Sequence, residues 1–144
     1  EIDYLELFDE PLVVVLPVDH PLAHEKEITA AQLDGVNFVS TDPAYSGSLA
    51  MIVKNWFQQQ KSQPNIVQVA TNILVTMNLV GMGLGVTLIP GYMNNFNTGQ
   101  VVFRPIAGNV PSIALLMAWK KGEMKPALRD FIAIVQERLA SVTA

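Results

Sequence analysis

The fold is decided by residues 64–90, whose sequence is PNIVQVATNILVTMNLVGMGLGVTLIP. The β-branched run Ile66–Ala70 predicts a short strand, and apolar residues at 73, 77, 80 and 84 then recur at helical spacing. Three glycines end that helix, because glycine reaches the left-handed backbone at little steric cost. The run Val86–Ile89 predicts a second strand. The stretch therefore predicts a β-α-β unit, in which free N–H groups at the helix N-terminus face whatever lies beyond the first strand.

The glycines Gly81, Gly83 and Gly85 superficially match a dinucleotide-binding loop. In that motif a strand precedes the glycines and a helix follows them. Here the order is reversed, so the glycines lie at the C-terminal end of the helix, where the helix dipole repels phosphate. The pattern favours a helix stop over a dinucleotide site.

Composition limits the classes of protein to which the chain can belong. Half of its 144 residues are hydrophobic and 15% are charged, which permits a large core and excludes a disordered chain. The net charge of −4 and the scattered basic residues argue against nucleic-acid binding by this segment itself. The absence of cysteine removes disulfide and thiolate chemistry. No apolar run approaches the roughly 18 residues of a membrane span, and a first residue Glu1 indicates a fragment or processed piece.

Strand and helix patterns alternate along the chain and indicate the α/β class. The apolar run Leu12–Leu16 suits a strand covered on both faces of a parallel sheet, and we expect it to pair with Ile113–Ala118. Because buried strands have neighbours on both sides, the rest of their sheet is expected upstream of this chain. Further strands are predicted at 36–40 and 100–104, and a short helix capped by a threonine at 29–33.

Two other helices have clear apolar faces. The first follows possible caps at 46–48, and its predicted buried residues are Leu49, Ile52, Val53, Trp56 and Phe57. The second begins near Pro126, a residue suited to the first helical turn. Its predicted buried residues are Leu128, Phe131, Ile132, Val135 and Leu139.

Signals for metal binding and catalysis are weak. His20 and His24 are four residues apart, but Pro21 prevents the continuous helix that would align their rings, and no third ligand is near. The sequence lacks the nucleophile-elbow, zinc-protease and phosphate-loop motifs. We therefore predict no catalytic residue, no metal site and no cofactor.

Small polar residues follow two of the predicted strands, at Ser40–Asp42 and at Thr71–Asn72. In open α/β sheets, ligands bind outside the carboxyl ends of the strands, and both groups precede a helix N-terminus. Helix capping alone would explain Ser46 and Thr71, but their matching positions favour a binding site. Catalysis at Asp42 is less favoured, because no general base is near in sequence. The three arginines lie elsewhere, so a bound carboxylate would rely on backbone N–H groups, hydroxyls and Asn72, or on residues outside this chain.

Four stretches resemble the effector-binding domain of LysR-type transcriptional regulators. They are EPLVVVLPVDHPLA (10–23), LDGVNFV (33–39), PNIV (64–67) and LVGMGLGVTLIP (79–90), and in order they cover essentially the whole chain. The HPLA turn and the glycine-containing stretch are the most specific. Within the family, the resemblance points to regulators of aromatic-acid catabolism.

The resemblance implies an α/β fold of the periplasmic-binding-protein type 2, with two Rossmann-like lobes. The chain would hold the second lobe complete and the first lobe in part. Residues 1–16 would be a first-lobe remnant and crossover strand, 17–112 the second lobe, and 113–144 the return crossover strand and closing helix.

The resemblance also implies a cytoplasmic transcription activator of a catabolic operon. Such a protein senses a small, aromatic carboxylate inducer in the cleft between its lobes and forms homo-oligomers, either dimers or tetramers. It contacts DNA only through an N-terminal domain that this chain lacks, and it has no membrane partner. Carried over by position, the expected ligand contacts are Ser40, Thr41, Asp42, Thr71, Asn72, Ile73 and Pro90.

Three alternatives remain open at this point. A periplasmic solute-binding protein of the same fold would carry an upstream signal peptide. An α/β enzyme would need a general base that the sequence does not show. A fragment that serves chiefly for oligomer contacts would bind nothing without its missing half.

Overall fold

The computed structural model describes residues 2–120 and 126–143. Its strands are β1 (Ile2–Pro17), β2 (Asn37–Thr41), β3 (Asn65–Ala70), β4 (Thr87–Pro90), β5 (Val101–Pro105) and β6 (Ser112–Lys120). Its α-helices are α1 (Leu49–Gln59), α2 (Ile73–Gly81) and α3 (Pro126–Thr143). Short 3₁₀ helices cover Pro21–His24, Ala31–Leu33 and Gly91–Phe96. The chain divides into a larger unit, Pro11–Ile113, and a smaller one made of Glu1–Glu10 and Ala114–Ala144.

Strand β1 has neighbours on both sides in the larger unit. It pairs antiparallel with β4 and with β5, and β6 also pairs with β1. Because the two sides of Leu12–Leu16 face β4 and β5 in antiparallel register, the expectations of a parallel arrangement and of direct pairing with Ile113–Ala118 are wrong for these residues. The expectation of further strands upstream of the chain stays a prediction. A continuous apolar run reports burial on both faces, and it does not report strand direction.

Parallel pairing occurs instead around β2. Strands β2 and β3 are parallel, and a parallel bridge between Phe38 and Val86 places the start of β4 on the other side of β2. The Thr87 hydroxyl donates to the Val39 carbonyl oxygen at 2.7 Å, which adds a buried bond between the same strands. In the larger unit, β4 thus joins the parallel and the antiparallel parts of the sheet.

Successive residues of these strands alternate between two apolar layers. Phe38 and Leu88 belong to the core on the α1 face, whereas Val39 and Ile89 belong to the core on the α2 face. Helix α1 buries four of its five predicted apolar residues, and Ile52 is partly buried. Each large side chain buried in this way contributes about 1.5–3 kcal/mol, so the two helices are held on the sheet mainly by apolar packing.

Strand β3 differs from the other strands of the larger unit. Among the described residues its strand partner is β2 alone, and five of its six residues are exposed. Ile66, Val67 and Val69 are 57%, 41% and 49% exposed. This apolar strand is therefore an edge strand with a free side.

The glycines after α2 act as the predicted helix stop. Gly81 is the last helical residue, and Gly83 has a left-handed backbone with φ +92°. Gly85 has a different role, because a Cβ there would lie 2.5 Å from the carbonyl oxygen of Asn37. Its lack of a side chain lets the chain entering β4 approach β2.

In the smaller unit, α3 begins at Pro126 as predicted. Ile132 is buried and Val135 partly buried, but Phe131 is 51% exposed, contrary to prediction. Ile132 therefore lies in the buried stripe of α3 and the adjacent Phe131 lies outside it. Among the described residues, this stripe is narrower than the apolar periodicity suggested. The side chains of Leu128 and Leu139 lie outside the described residues. None of the helices in the described ranges has the length and hydropathy needed to cross a membrane.

Candidate functional site

The carboxyl ends of three strands meet at one end of the sheet. Thr41 is in register with Ala70, and the Asp42 N–H donates to the Ala70 carbonyl oxygen at 2.8 Å. Since β4 enters parallel to β2, its last residue, Pro90, lies at the same end. We call this region, comprising Thr41–Asp42, Thr71–Ile73 and Pro90, the strand-end site.

Helix α2 begins at this site with a side-chain cap. The Asn72 Oδ1 atom accepts a hydrogen bond from the Val75 N–H at 2.9 Å, so Asn72 caps the helix and Thr71, the predicted cap, does not. Asparagine ranks above threonine at this position, and that ranking could have identified the cap from sequence. The Thr71 hydroxyl is left without a partner among the described residues, and so is the Asn72 amide nitrogen.

Helix α1 begins differently, after a tight turn. The Asp42 Oδ1 atom accepts from the Ala44 N–H at 2.9 Å, and the Asp42 carbonyl oxygen accepts from the Tyr45 and Ser46 N–H groups at 3.0 Å. Ser48 occupies the N-cap position without a side-chain hydrogen bond. The Ser46 Oγ atom is buried and has no partner in the described part of the chain. The predicted serine caps of α1 are therefore wrong, and the Asp42 turn takes their place.

The remaining predicted contacts are divided between the two faces of the sheet. Thr41 is 5% exposed, and strand alternation directs it to the face opposite Ser40. Ser40 lines a groove between α1 and β3. Ile73 packs against both apolar cores, and Pro90 is buried. The polar groups that solvent can reach at the strand-end site are therefore those of Asp42, Thr71 and Asn72.

Among the hydrogen bonds of the larger unit, none places a basic side chain at the strand-end site. Arg104 is committed elsewhere, because its guanidinium donates to the carbonyl oxygens of Ala23 and Phe103, both at 2.9 Å. Donors at the strand-end site are thus neutral amides, hydroxyls and backbone N–H groups. Such donors, assisted by the positive end of a helix dipole, suit a carboxylate ligand.

His20 has a structural role at the start of the 3₁₀ helix Pro21–His24. Its Nδ1 atom accepts from the Leu22 N–H at 3.1 Å, and burial lowers the pKa of its imidazole, an effect that neighbouring Asp19 partly opposes. Within residues 2–120 and 126–143, acidic and histidine side chains form no group of three that could hold a metal ion.

The family described as the LysR substrate binding domain matches residues 1–140, and the chain belongs to this family. The resemblance found in the sequence is thereby confirmed.

Among curated proteins, the chain is similar to the Hca operon transcriptional activator HcaR of Escherichia coli (strain K12). The two are 96% identical over 144 residues, which are 100% of this chain and 49% of that protein. The chain therefore spans about half the length of this relative. The relatives are transcriptional regulators, and a periplasmic solute-binding protein is not favoured.

Solved structures confirm the expected type 2 fold. CbnR, a LysR family transcriptional regulator, superposes with a TM-score of 0.83 at 19% identity, over 93% of this chain and 46% of that one. The BenM effector binding domain with its effector benzoate gives 0.79 at 18% identity, over 99% of this chain and 65% of that one.

Proposed function

We propose that this chain is the sensing part of a bacterial LysR-type activator and binds a small aromatic carboxylate at the strand-end site. One observation carries the proposal: the Thr71 hydroxyl and the Asn72 amide nitrogen are unpartnered donors where three strand ends and the N-terminus of α2 meet. The high identity to an operon activator and the benzoate bound by BenM support this ligand class.

Each residue of the site has a distinct proposed role. Thr71 and Asn72 donate hydrogen bonds to the ligand carboxylate, while Ile73, which is partly buried, offers apolar contact to its ring. The buried Pro90 contributes its position at the end of β4. Thr41 contributes its position at the end of β2. Asp42 holds the turn before α1 and does not contact the carboxylate, because two like charges at close range repel each other.

The larger functional frame is also proposed. Residues 17–112 form the second lobe, while 1–16 and 113–144 supply crossover strands and first-lobe elements. The whole regulator works in the cytoplasm as a homo-oligomer, binds DNA through its N-terminal domain and controls a catabolic operon. It is not an enzyme, because the strand-end site pairs no nucleophile with a general base among the described residues.

Calorimetry on the full-length regulator tests the site with benzoate, 3-phenylpropionate and cinnamate as ligands. Asn72→Asp keeps the capping oxygen but removes the amide donor and adds a negative charge, so the Thr71→Val/Asn72→Asp variant should bind at least about ten-fold more weakly. Thr98→Val, an exposed threonine outside the site, is the control. Unchanged affinity in the double variant would overturn the site assignment.

A further inference from the structure

A long groove runs between α1 and β3, on the α1 face of the larger unit. Its volume is about 720 Å³, which lies within the range of small-molecule sites. One wall is a helical stripe at positions 50, 53, 54, 57 and 58, and the other wall is formed by β2 and β3. We call it the α1–β3 groove. Its apolar lining includes Phe38, Pro43, Val53, Phe57, Pro64 and Ile66, of which Phe38, Val53 and Phe57 are at most 8% exposed.

The floor of the groove is closely packed, whereas its β3 wall is exposed. Phe38 and Phe57 pack edge to face with ring centroids 5.5 Å apart, and both are at most 5% exposed. Ile66 is in register with Phe38 on the parallel neighbour β3, yet it is 57% exposed. The described residues thus leave apolar surface uncovered beside a well-packed aromatic pair.

The charged side chains that line the groove are all positive. Lys54 and Lys61 both line it, both are exposed, and neither makes an ion pair with a described residue. No aspartate or glutamate of the described chain lines the groove. Lys61 has a left-handed backbone with φ +53°, which is uncommon for a residue other than glycine or asparagine. Two exposed ammonium groups beside an apolar wall complement a ligand that carries one negative charge on an apolar body.

We propose that the α1–β3 groove is a second ligand site, which binds an amphipathic organic monoanion such as an aryl or short acyl carboxylate. The hydrocarbon part covers the exposed Ile66 and Pro43 side chains beside the buried aromatic pair, and the anionic group lies beside Lys54 and Lys61. Ser40, which the sequence assigned to the inducer, supplies a hydroxyl to this groove. Thr71 and Asn72 do not line it, so this site is separate from the proposed inducer site.

Two fluorescent probes test the proposal on the full-length regulator. The first is 8-anilinonaphthalene-1-sulfonate, an aryl monoanion, and the second is N-phenyl-1-naphthylamine, its uncharged counterpart. The Lys54→Gln/Lys61→Asn variant should bind the anion about ten-fold more weakly and the neutral probe equally well, because only the charge contribution is removed. Asparagine at 61 tolerates the left-handed backbone. Lys26→Gln, an exposed lysine outside the groove, should change neither affinity.

A second pair of variants tests the apolar wall. Ile66→Glu should abolish anionic-probe binding, whereas Val67→Glu places the same charge on the next residue of β3, outside the groove, and should not. Far-UV circular dichroism and thermal midpoints verify that both variants fold. The groove variants alter Lys54, Lys61 and Ile66, whereas the inducer-site variant alters Thr71 and Asn72, so failure here and failure of the inducer site are distinguishable.

Two results would overturn the proposal. One is equal affinity of the anionic probe for the wild type, the lysine variant and Ile66→Glu. The other is a change in assembly mass by light scattering with Ile66→Glu but not with Val67→Glu. The second result would show that another copy of the chain occupies the groove.

Discussion

The N-termini of α1 and α2 lie at the same end of the sheet, but they are built in different ways. Helix α2 has a side-chain cap, the 2.9 Å bond from the Val75 N–H to Asn72 Oδ1. Helix α1 has none, and the buried Ser46 hydroxyl near its start has no partner among the described residues. The capped helix therefore holds its first turn by a local bond, whereas the start of α1 depends on the turn that Asp42 closes.

The largest expected effect comes from breaking the platform that both helices share. Gly85→Ala would place a Cβ 2.5 Å from the Asn37 carbonyl oxygen, between the entry to β4 and β2. Because both neighbours are backbone, we expect a loss of about 3 kcal/mol or more in the free energy of unfolding, measured by urea denaturation.

Gly81→Ala is the matched control for that substitution. Its Cβ would lie 3.2 Å from the Gln100 Cβ atom and 3.6 Å from the Val101 Cγ1 atom, so it would meet side-chain atoms and no backbone atom at close range. Alanine is also the better helix former by about 1 kcal/mol, so the two effects should leave stability near that of the wild type. Equal losses in both variants would show that the close approach at Gly85 is not limiting.

Removing the cap of α2 should have the next largest effect. Asn72→Ala should lower the free energy of unfolding by about 1 kcal/mol, because the Val75 N–H loses its acceptor. Hydrogen exchange followed by mass spectrometry should show faster exchange in 73–76 and unchanged exchange in 49–52. Asn72→Asp should restore protection, and its failure to do so would assign the effect to something other than the cap.

Near the start of α1, replacing a polar residue with alanine should not lower the free energy of unfolding. Ser46→Ala removes a buried hydroxyl that has no partner, so the protein should be unchanged or more stable by up to about 1 kcal/mol. Ser48→Ala should change stability by only a few tenths of a kcal/mol, since that side chain makes no capping bond. Thermal denaturation of both variants beside Asn72→Ala measures the contrast, and a marked loss in Ser46→Ala would contradict it.

The smallest expected effect on stability concerns His20, whose side chain caps the 3₁₀ helix Pro21–His24 and also titrates. The His20 Nδ1 atom accepts from the Leu22 N–H, and burial lowers the pKa of the imidazole below its ordinary value of 6.5, with Asp19 acting in the opposite direction. Because the folded pKa is the lower one, His20 contributes stability above about pH 6.5, and this is lost as the pH falls through the folded pKa. His20→Asn keeps an acceptor that does not titrate. Its thermal midpoint should fall less than that of the wild type between pH 7 and 5, and parallel curves would exclude the cap as the cause.

The sequence predicted the positions of strands and helices better than it predicted how the strands pair. The positions of β3 and α2 and the glycine stop followed from periodicity and from backbone preferences that are local properties. The direction of β1 did not, because an apolar run such as Leu12–Leu16 looks the same in parallel and antiparallel sheets. Local preference favours Asn72 over Thr71 as the cap, because asparagine ranks above threonine at this position, but both residues can cap and the backbone at the helix start selects one.

The sequence predicted at which end of the sheet the candidate site lies, but it did not predict which face of the sheet each residue occupies. Placing Thr41 and Thr71 together required only that ligands bind beyond the carboxyl ends of strands. Ser40 faces the α1–β3 groove, and Thr41 faces the other layer. Strand alternation requires that the two residues face opposite sides, but only the packing of β2 decides which residue faces which side. The groove itself had no sequence signal, because Phe57 and Ile66 read as ordinary apolar residues of a helix and a strand.

The exposed strand β3 has a practical consequence for handling the protein. Its outer backbone groups pair with no strand of the described residues, and three of its apolar side chains are more than 40% exposed. An unpaired apolar strand of this kind is a template for pairing between chains and hence for aggregation. At high concentration, self-association of this half-length chain should begin at residues 65–70, and a lysine at Val67 is the conservative way to increase its solubility.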